Sequence, residues 1–204
     1  ESTERNSLLR ARRLSHIIIL FTLTALGDDS VLVQWEGKAP QLDRSVRMAD
    51  TASVVGNVTA EAGVSLWYGA VVRGDMSPIR IGRDTNIQDN AVIHGDVGVP
   101  TELGEQVSVG HSAVLHSCRV EDGCVIGMGA VVLRDCVIGA ESLVAAGAVV
   151  AGGAVIPPGS LVVGVPGRVK RTLTPEERHK LRDNAAEYLR LAAQLPPVEK
   201  RSEA

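Results

Sequence analysis

From Val114 onward the aliphatic residues of this 204-residue chain fall six apart without a miss: Val114, Val120, Ile126, Val132, Ile138, Val144, Val150, Ile156 and Val162. Four residues after each of the first eight comes a small one: Cys118, Cys124, Ala130, Cys136, Ser142, Ala148, Ala154 and Ser160. A period of six is neither the 3.6 of a helix nor the alternation of an isolated strand. It predicts a parallel β-helix, in which six residues form one short side of a triangular coil and about 18 complete a turn. The aromatic content of 2% agrees, being limited to Phe21, Trp35, Trp67, Tyr68 and Tyr188. Such a core is filled with Val, Ile, Leu and Ala rather than with large rings, which suits layers of identical width.

Upstream the repeat is looser. Val54, Ala60, Leu66 and Val72 are in phase, Met76 to Arg80 interrupt it, and Ile81, Ile87 and Ile93 resume it. A loop of about a dozen residues, Gly95 to Gln106, is expected next. Val109 restarts the pattern, with a one-residue slip before Val114. The interruptions bracket His94, His111 and His116, and projecting loops on rigid scaffolds are where function concentrates.

Residues 31–169 are thus expected to form the β-helix domain, opened by a strand within Val31 to Trp35. Residues 1–30 lie outside the repeat. Arg10, Arg12 and Arg13 precede an apolar run, Ile17 to Leu26, in the layout of a signal peptide. That run is too short for a bilayer, which needs roughly 20 residues. Two readings are open: an extension of a cytoplasmic protein, or an export signal over residues 1–27. A C-terminal helix is expected over residues 173–196 and packed alongside the coils. Thr174, Pro175 and Glu177 make its capping box, and Leu181, Ala185, Tyr188, Ala192 and Leu195 share one face.

A net charge of −3 with no basic block and few aromatics argues against nucleic acid as a partner. No stretch calls for a membrane. Cys118, Cys124 and Cys136 all occupy the small-residue position, so they read as small buried hydrophobes rather than as a disulfide or zinc set.

Three of the five histidines lie within 23 residues. His111 and His116 are five apart, roughly one side of the triangle, which puts them near different edges of one coil. Zinc needs Zn–N distances of about 2.0–2.1 Å, which one chain would struggle to reach with both. Protomers packed side by side remove the difficulty. His94 and His116 then share one groove, His111 points into a neighbour's, and a trimer closes the ring. Three neutral imidazoles leave zinc an open position for water, whose pKa falls to about 7. The bland alternative is three polar residues on a β-helix exterior.

The detailed residues add a resemblance. Val72-Arg73-Gly74-Asp75, Ile81-Gly82, Thr85-Asn86-Ile87-Gln88-Asp89, Val92-Ile93-His94, Val109-Gly110-His111, Leu115-His116 and Ile126-Gly127-Met128-Gly129-Ala130 closely resemble the gamma-class carbonic anhydrase family. The resemblance covers about Trp35 to Leu195. It implies a left-handed β-helix, a homotrimer, and zinc at each subunit interface held by His94 and His116 of one subunit and His111 of the next. It implies reversible hydration of CO2 to bicarbonate by a metal-bound hydroxide. Arg73 and Asp75 match intersubunit ion-pair positions, and Asn86, Gln88 and Asp89 match polar residues around the metal. Tyr188 resembles a tyrosine that reaches the site in relatives, core packing being its alternative role.

One departure stands out. The family's acidic proton-shuttle loop is short here, with only Asp96, Glu102 and Glu105 available. Short-loop relatives include enzymes acting on acyl thioesters. Two alternatives to a carbonic anhydrase therefore stay open: an acyl-CoA thioesterase or acyltransferase-like enzyme, and a non-catalytic assembly subunit. The metal is open too, since three-histidine sites also take Fe(II) or Co(II).

Overall fold

The computed structural model describes residues 31–198, so the signal-like stretch of residues 1–30 lies outside it. Short strands stack in parallel, in register, along three sides of a prism. On the first side Met48, Leu66, Ile87, Val109, Ile126, Val144 and Val162 form one inward column. On the second the column is Val54, Val72, Ile93, Leu115, Val132 and Val150. On the third it is Ala60, Ile81, Leu103, Val120, Ile138 and Ile156. Together they make a left-handed parallel β-helix of about seven turns with one C-terminal helix. The predicted small residues pack in the same core, and all three cysteines are free and buried.

Each coil closes on the next through backbone hydrogen bonds, as when Ser108 N–H donates to the Cys124 carbonyl at 2.9 Å and Val125 N–H to that of Ser142 at 2.9 Å. The corner after the first side holds its second residue in the left-handed region: Gly69, Asn90, Ser112, Gly129 and Gly147. Gly, Asn and short polar residues tolerate that conformation best.

Three details differ from the sequence pattern. The inward residue is Leu115, fully buried, whereas Val114 faces outward. The phase slip therefore falls after Leu115, at Ser117, and not before Val114. Met76 to Arg80 do not break the strand, which runs from Val71 to Ile81 with a register shift. The long loop is also shorter than expected, because Thr101–Leu103 within it is a strand of the third side.

These details have one origin, the corner between the second and third sides. In the regular coils two residues turn it, as Arg134 and Asp135 do between Leu133 and the Cys136 position. In two successive coils it is lengthened, to residues 74–78 and then 95–100. In the next it is shortened to Ser117 alone. Ser117 is fully buried and its hydroxyl accepts the Asp96 N–H at 2.6 Å, so the short corner seats the long one.

Helix α1 (Pro175–Ala192) packs against Ser65–Leu66 and Asn86–Ile87 of the first side. Its capping box is present: Glu177 N–H donates to Thr174 Oγ1, and Thr174 N–H donates to Glu177 Oε2. The helix is shorter than the expected 173–196. Proline disfavours helical geometry at the residue before it, here Leu195. The chain bends so that Met48 N–H donates to the Pro196 carbonyl and Val198 N–H to that of Val46. This covers one open edge of the first side. At the other, Arg168–Thr172 pairs antiparallel with Ser160–Val163, and its exposed Arg168, Lys170 and Arg171 suit a sheet edge. Among the described residues no helix is long and apolar enough to cross a membrane.

Leu115→Ala is expected to lower unfolding stability by about 2–5 kcal/mol in chemical denaturation, because it opens a cavity in a column that cannot collapse. The hydrogen-bonded pair with Arg171, then the Thr174 N–H, hold the Glu177 carboxyl down at about 2 from its ordinary 4.5. Stability from this lowered group is full above pH 4.5 and is lost as pH falls toward 2. Glu177→Gln should therefore show a shallower fall in Tm than the wild type across that window.

Candidate metal centre

The corner insertions surround two of the three histidines. His94 and His116 are register partners on adjacent strands of the second side, so both project from its third-side edge. Their rings lie 5.2 Å apart, with His94 Nδ1 3.3 Å from His116 Nε2. His94 Nε2 lies 2.9 Å from Asp75 Oδ1, and Asp75 also pairs with Arg73. Burial pushes the Asp75 carboxyl up, but the hydrogen bonds from His94 and Arg73 outweigh it and hold it below 3.8. His116 Nδ1 faces Asp96 Oδ2 at 3.8 Å.

His111 belongs to the opposite edge of the same side. It sits in a corner ladder in which Asn90 N–H donates to Tyr68, Ser112 N–H to Asp89, Gly129 N–H to His111 and Gly147 N–H to Met128, each to the backbone carbonyl. Its Nδ1 is 2.8 Å from Asp89 Oδ2, and its Nε2 is 3.5 Å from the Tyr188 hydroxyl. Burial and then the Asp89 charge push the Tyr188 phenol above 10, so it stays a donor at neutral pH. Trp67 supports the Tyr188 ring edge-on at 5.4 Å, and its Nε1–H donates to Ser65 Oγ. Asn86 and Gln88 are buried on the same face. Gln88 Nε2 donates to Asn86 Oδ1 at 3.1 Å, and Asn86 Nδ2 to Ser108 Oγ at 2.9 Å.

The structure thus brings His94, His116, Asp75 and Arg73 together, and separately His111, Asp89 and Tyr188. Among the described residues no group of three or more His, Cys, Asp or Glu side chains converges to hold a metal within one chain. Arg73 and Asp75 meet each other inside the chain.

The donor set nevertheless fits a metal. A carboxylate only accepts, so the imidazole nitrogen facing it carries the proton. His94 then accepts at Nδ1 and His111 at Nε2. His116 lies 3.8 Å from Asp96, beyond a hydrogen bond, so in the single chain its Nε2–H can donate to His94 Nδ1 at 3.3 Å, and a metal would take the place of that proton between the two rings. Two ligands on a tetrahedral zinc stand about 3.3 Å apart. Carboxylates on the far nitrogens are the usual support of metal-ligating histidines.

The face between the two edges is distinctive. Its outward positions are Val71, Val92, Val114, Val131 and Val149, in register and half-buried. Met128 lies one coil from His111, Tyr68 one coil beyond Asp89 on the other side, and Leu133 follows His116; all three are exposed. On the third side the equivalent line is Thr59, Arg80, Glu102, Arg119, Val137 and Val155, polar over its first four coils.

Residues 117–152 match the bacterial transferase hexapeptide family (six repeats). A probable carbonic anhydrase of Methanocaldococcus jannaschii is 53% identical over 154 residues, covering 76% of this chain and 97% of that protein. The mitochondrial gamma carbonic anhydrase 3 of Arabidopsis thaliana is 51% identical over 76% of this chain, which spans 62% of its length. The chain belongs to the gamma carbonic anhydrase family. Among solved structures, a putative acetyltransferase of Bacillus cereus superposes with a TM-score of 0.79 at 34% identity, over 80% of this chain and 95% of that one. A hexapeptide transferase family protein of Anaplasma phagocytophilum gives 0.77 at 36%, over 80% and 96%.

Within this gamma carbonic anhydrase fold, sequence reasoning missed Arg134, and it weighed Asp96 only as a proton carrier. The signal that could have found Arg134 is coil arithmetic. With one corner shortened, the coil above His116 is 17 residues long, which puts Arg134 next to the site. Gly110, before His111, is required by a close approach: a Cβ there would stand 2.7 Å from the Ile126 carbonyl oxygen. Gly110→Ala is expected to destabilise the fold by about 1–3 kcal/mol, as backbone overpacking does. Chemical denaturation measures it.

Proposed function

We propose that this protein catalyses the reversible hydration of CO2 to bicarbonate as a homotrimer with divalent metal sites, zinc by preference, at its subunit interfaces. His94 and His116 of one protomer and His111 of the next would hold each metal. One observation carries this reading: the three histidines, each facing a carboxylate, are split between the two edges of the face whose outward line runs as valine from Val71 to Val149. A second copy both covers the valines and completes the histidine set.

When bound, zinc supplies the Lewis acidity that makes water a competent nucleophile at neutral pH. The chain's own residues do the rest. Asp75 and Asp89 hold the far nitrogens of His94 and His111, which fixes each ring and its tautomer. Arg73 keeps Asp75 charged and in place. Gln88 donates one amide hydrogen to Asn86, leaving its other hydrogen and its carbonyl for a substrate oxygen or water. Tyr188 offers its hydroxyl beside His111. The valines give apolar CO2 an unhydrated wall. Glu102 pairs with Arg80 and Glu105 lies along the third side, so neither is a free proton carrier at the histidines.

Shared sites make a specific prediction. His111→Ala and His94→Ala each abolish metal content and CO2 hydration when expressed alone. Co-expressed, they form mixed trimers in which about a quarter of the interfaces regain a full histidine set. Stopped-flow hydration and metal analysis should then recover to about that fraction of wild type. No recovery sinks the shared site, and a metal-loaded wild-type trimer without hydration above buffer sinks the activity.

Acyl-thioester chemistry is the second reading, favoured by the names of the two solved neighbours. Inactivity toward acyl-CoA substrates of every chain length counts against it.

A further inference from the structure

His94 and His111 each face a carboxylate that the family resemblance singles out, whereas the third histidine faces one that it does not. We infer that Asp96 and Arg134 are positioning residues for His116: the Asp96 carboxylate faces Nδ1, Arg134 holds Asp96, and Nε2 is thereby turned toward His94, where a metal would bind. This rests on the metal reading above and extends it to residues of this chain.

The loop around Asp96 is built to be rigid. Its N–H donates to Ser117 Oγ at 2.6 Å, and its carbonyl accepts from Ser77 Oγ at 2.6 Å. Both Ser117 and Ser77 are buried. The backbone of Asp96 therefore does the structural work of the corner, and its side chain is left for another task. That side chain points one oxygen, Oδ2, at two groups: His116 Nδ1 at 3.8 Å and Arg134 Nη1 at 3.3 Å. Arg134 is itself braced, with Nε 3.1 Å from Asp135 Oδ2. The arrangement repeats that of His94, Asp75 and Arg73, in which an arginine steadies the carboxylate that faces the ring. The 3.8 Å separation exceeds a hydrogen bond, so this support is an electrostatic contact in the single chain.

The inference predicts an effect on metal affinity. The full chain, stripped of metal, is titrated with zinc against a chromophoric chelator. Asp96→Ala should bind zinc about 10–100-fold more weakly, the usual effect of losing a carboxylate behind a ligand histidine. Asp96→Asn, which keeps an accepting oxygen, should recover most of that loss. Arg134→Ala should weaken binding by less, and Arg134→Lys should restore it. Wild-type affinity in Asp96→Ala, alongside lost binding in His116→Ala, overturns this inference alone. A wild-type protein that takes up no zinc overturns the metal reading and this inference with it. Should Asp96→Ala fail to fold, Arg134→Ala carries the test: unchanged zinc affinity there overturns the inference.

Discussion

Everything in this molecule depends on the in-register stacking of one coil on the next. Each inward column admits a side chain of nearly fixed size, and each strand offers its backbone groups to both neighbours. Parallel pairing of this kind leaves no freedom to shift one coil against another, since a slip would turn the buried set outward. Extra residues cannot enter the prism. They are pushed out at a corner, where the coils above and below do not constrain them. Two of the chain's longest corners are consecutive, and between them they carry Asp75 and Asp96 beside His94 and His116.

The coil that follows explains why those insertions are ordered. It is one residue short, and the missing space is filled by Ser117, whose hydroxyl and N–H bind Asp96 and Thr101. Thr101 in turn donates to the His94 carbonyl at 2.7 Å. Lengthened and shortened corners are thus one device. The surplus in two coils is locked down by a deficit in the third, and His94 and His116 lie on strands that enter these corners. The same scaffold treats its three faces differently: one is covered by helix α1, one is polar over its first four coils, and one presents valine between two histidine edges. That division leaves the valine face as the one on which the proposed second copy would sit.

Much of the architecture was legible in the sequence because a β-helix is quasi-one-dimensional. A six-residue period reports the local side directly, and the capping box of Thr174 and Glu177 marks the helix start. The legible part ended where the period broke. Val114 and Leu115 are both aliphatic, so periodicity chose the wrong one as the inward residue, and only packing shows that Leu115 fills the core. Thr101–Leu103 was hidden inside an apparent loop because Thr101 and Glu102 are polar, yet the strand pairs on both sides. The helix end was misplaced because the stretch after Ala192 serves the first coil rather than the helix.

The candidate site divides in the same way. The sequence by itself determined the solenoid, the three histidines and the separation of His111 from His116, because chain distance along a regular coil converts directly into an edge. It also carried Arg73, Asp75, Gln88 and Asp89 through their motif context. Only the tertiary structure decided which carboxylate faces which ring. Asp75, Asp89 and Asp96 lie 19, 22 and 20 residues before His94, His111 and His116, and those intervals contain the irregular corners. Arg134 lies one coil further on again. Contacts between coils depend on the length of every corner in between, and a pattern of apolar residues carries no record of that length.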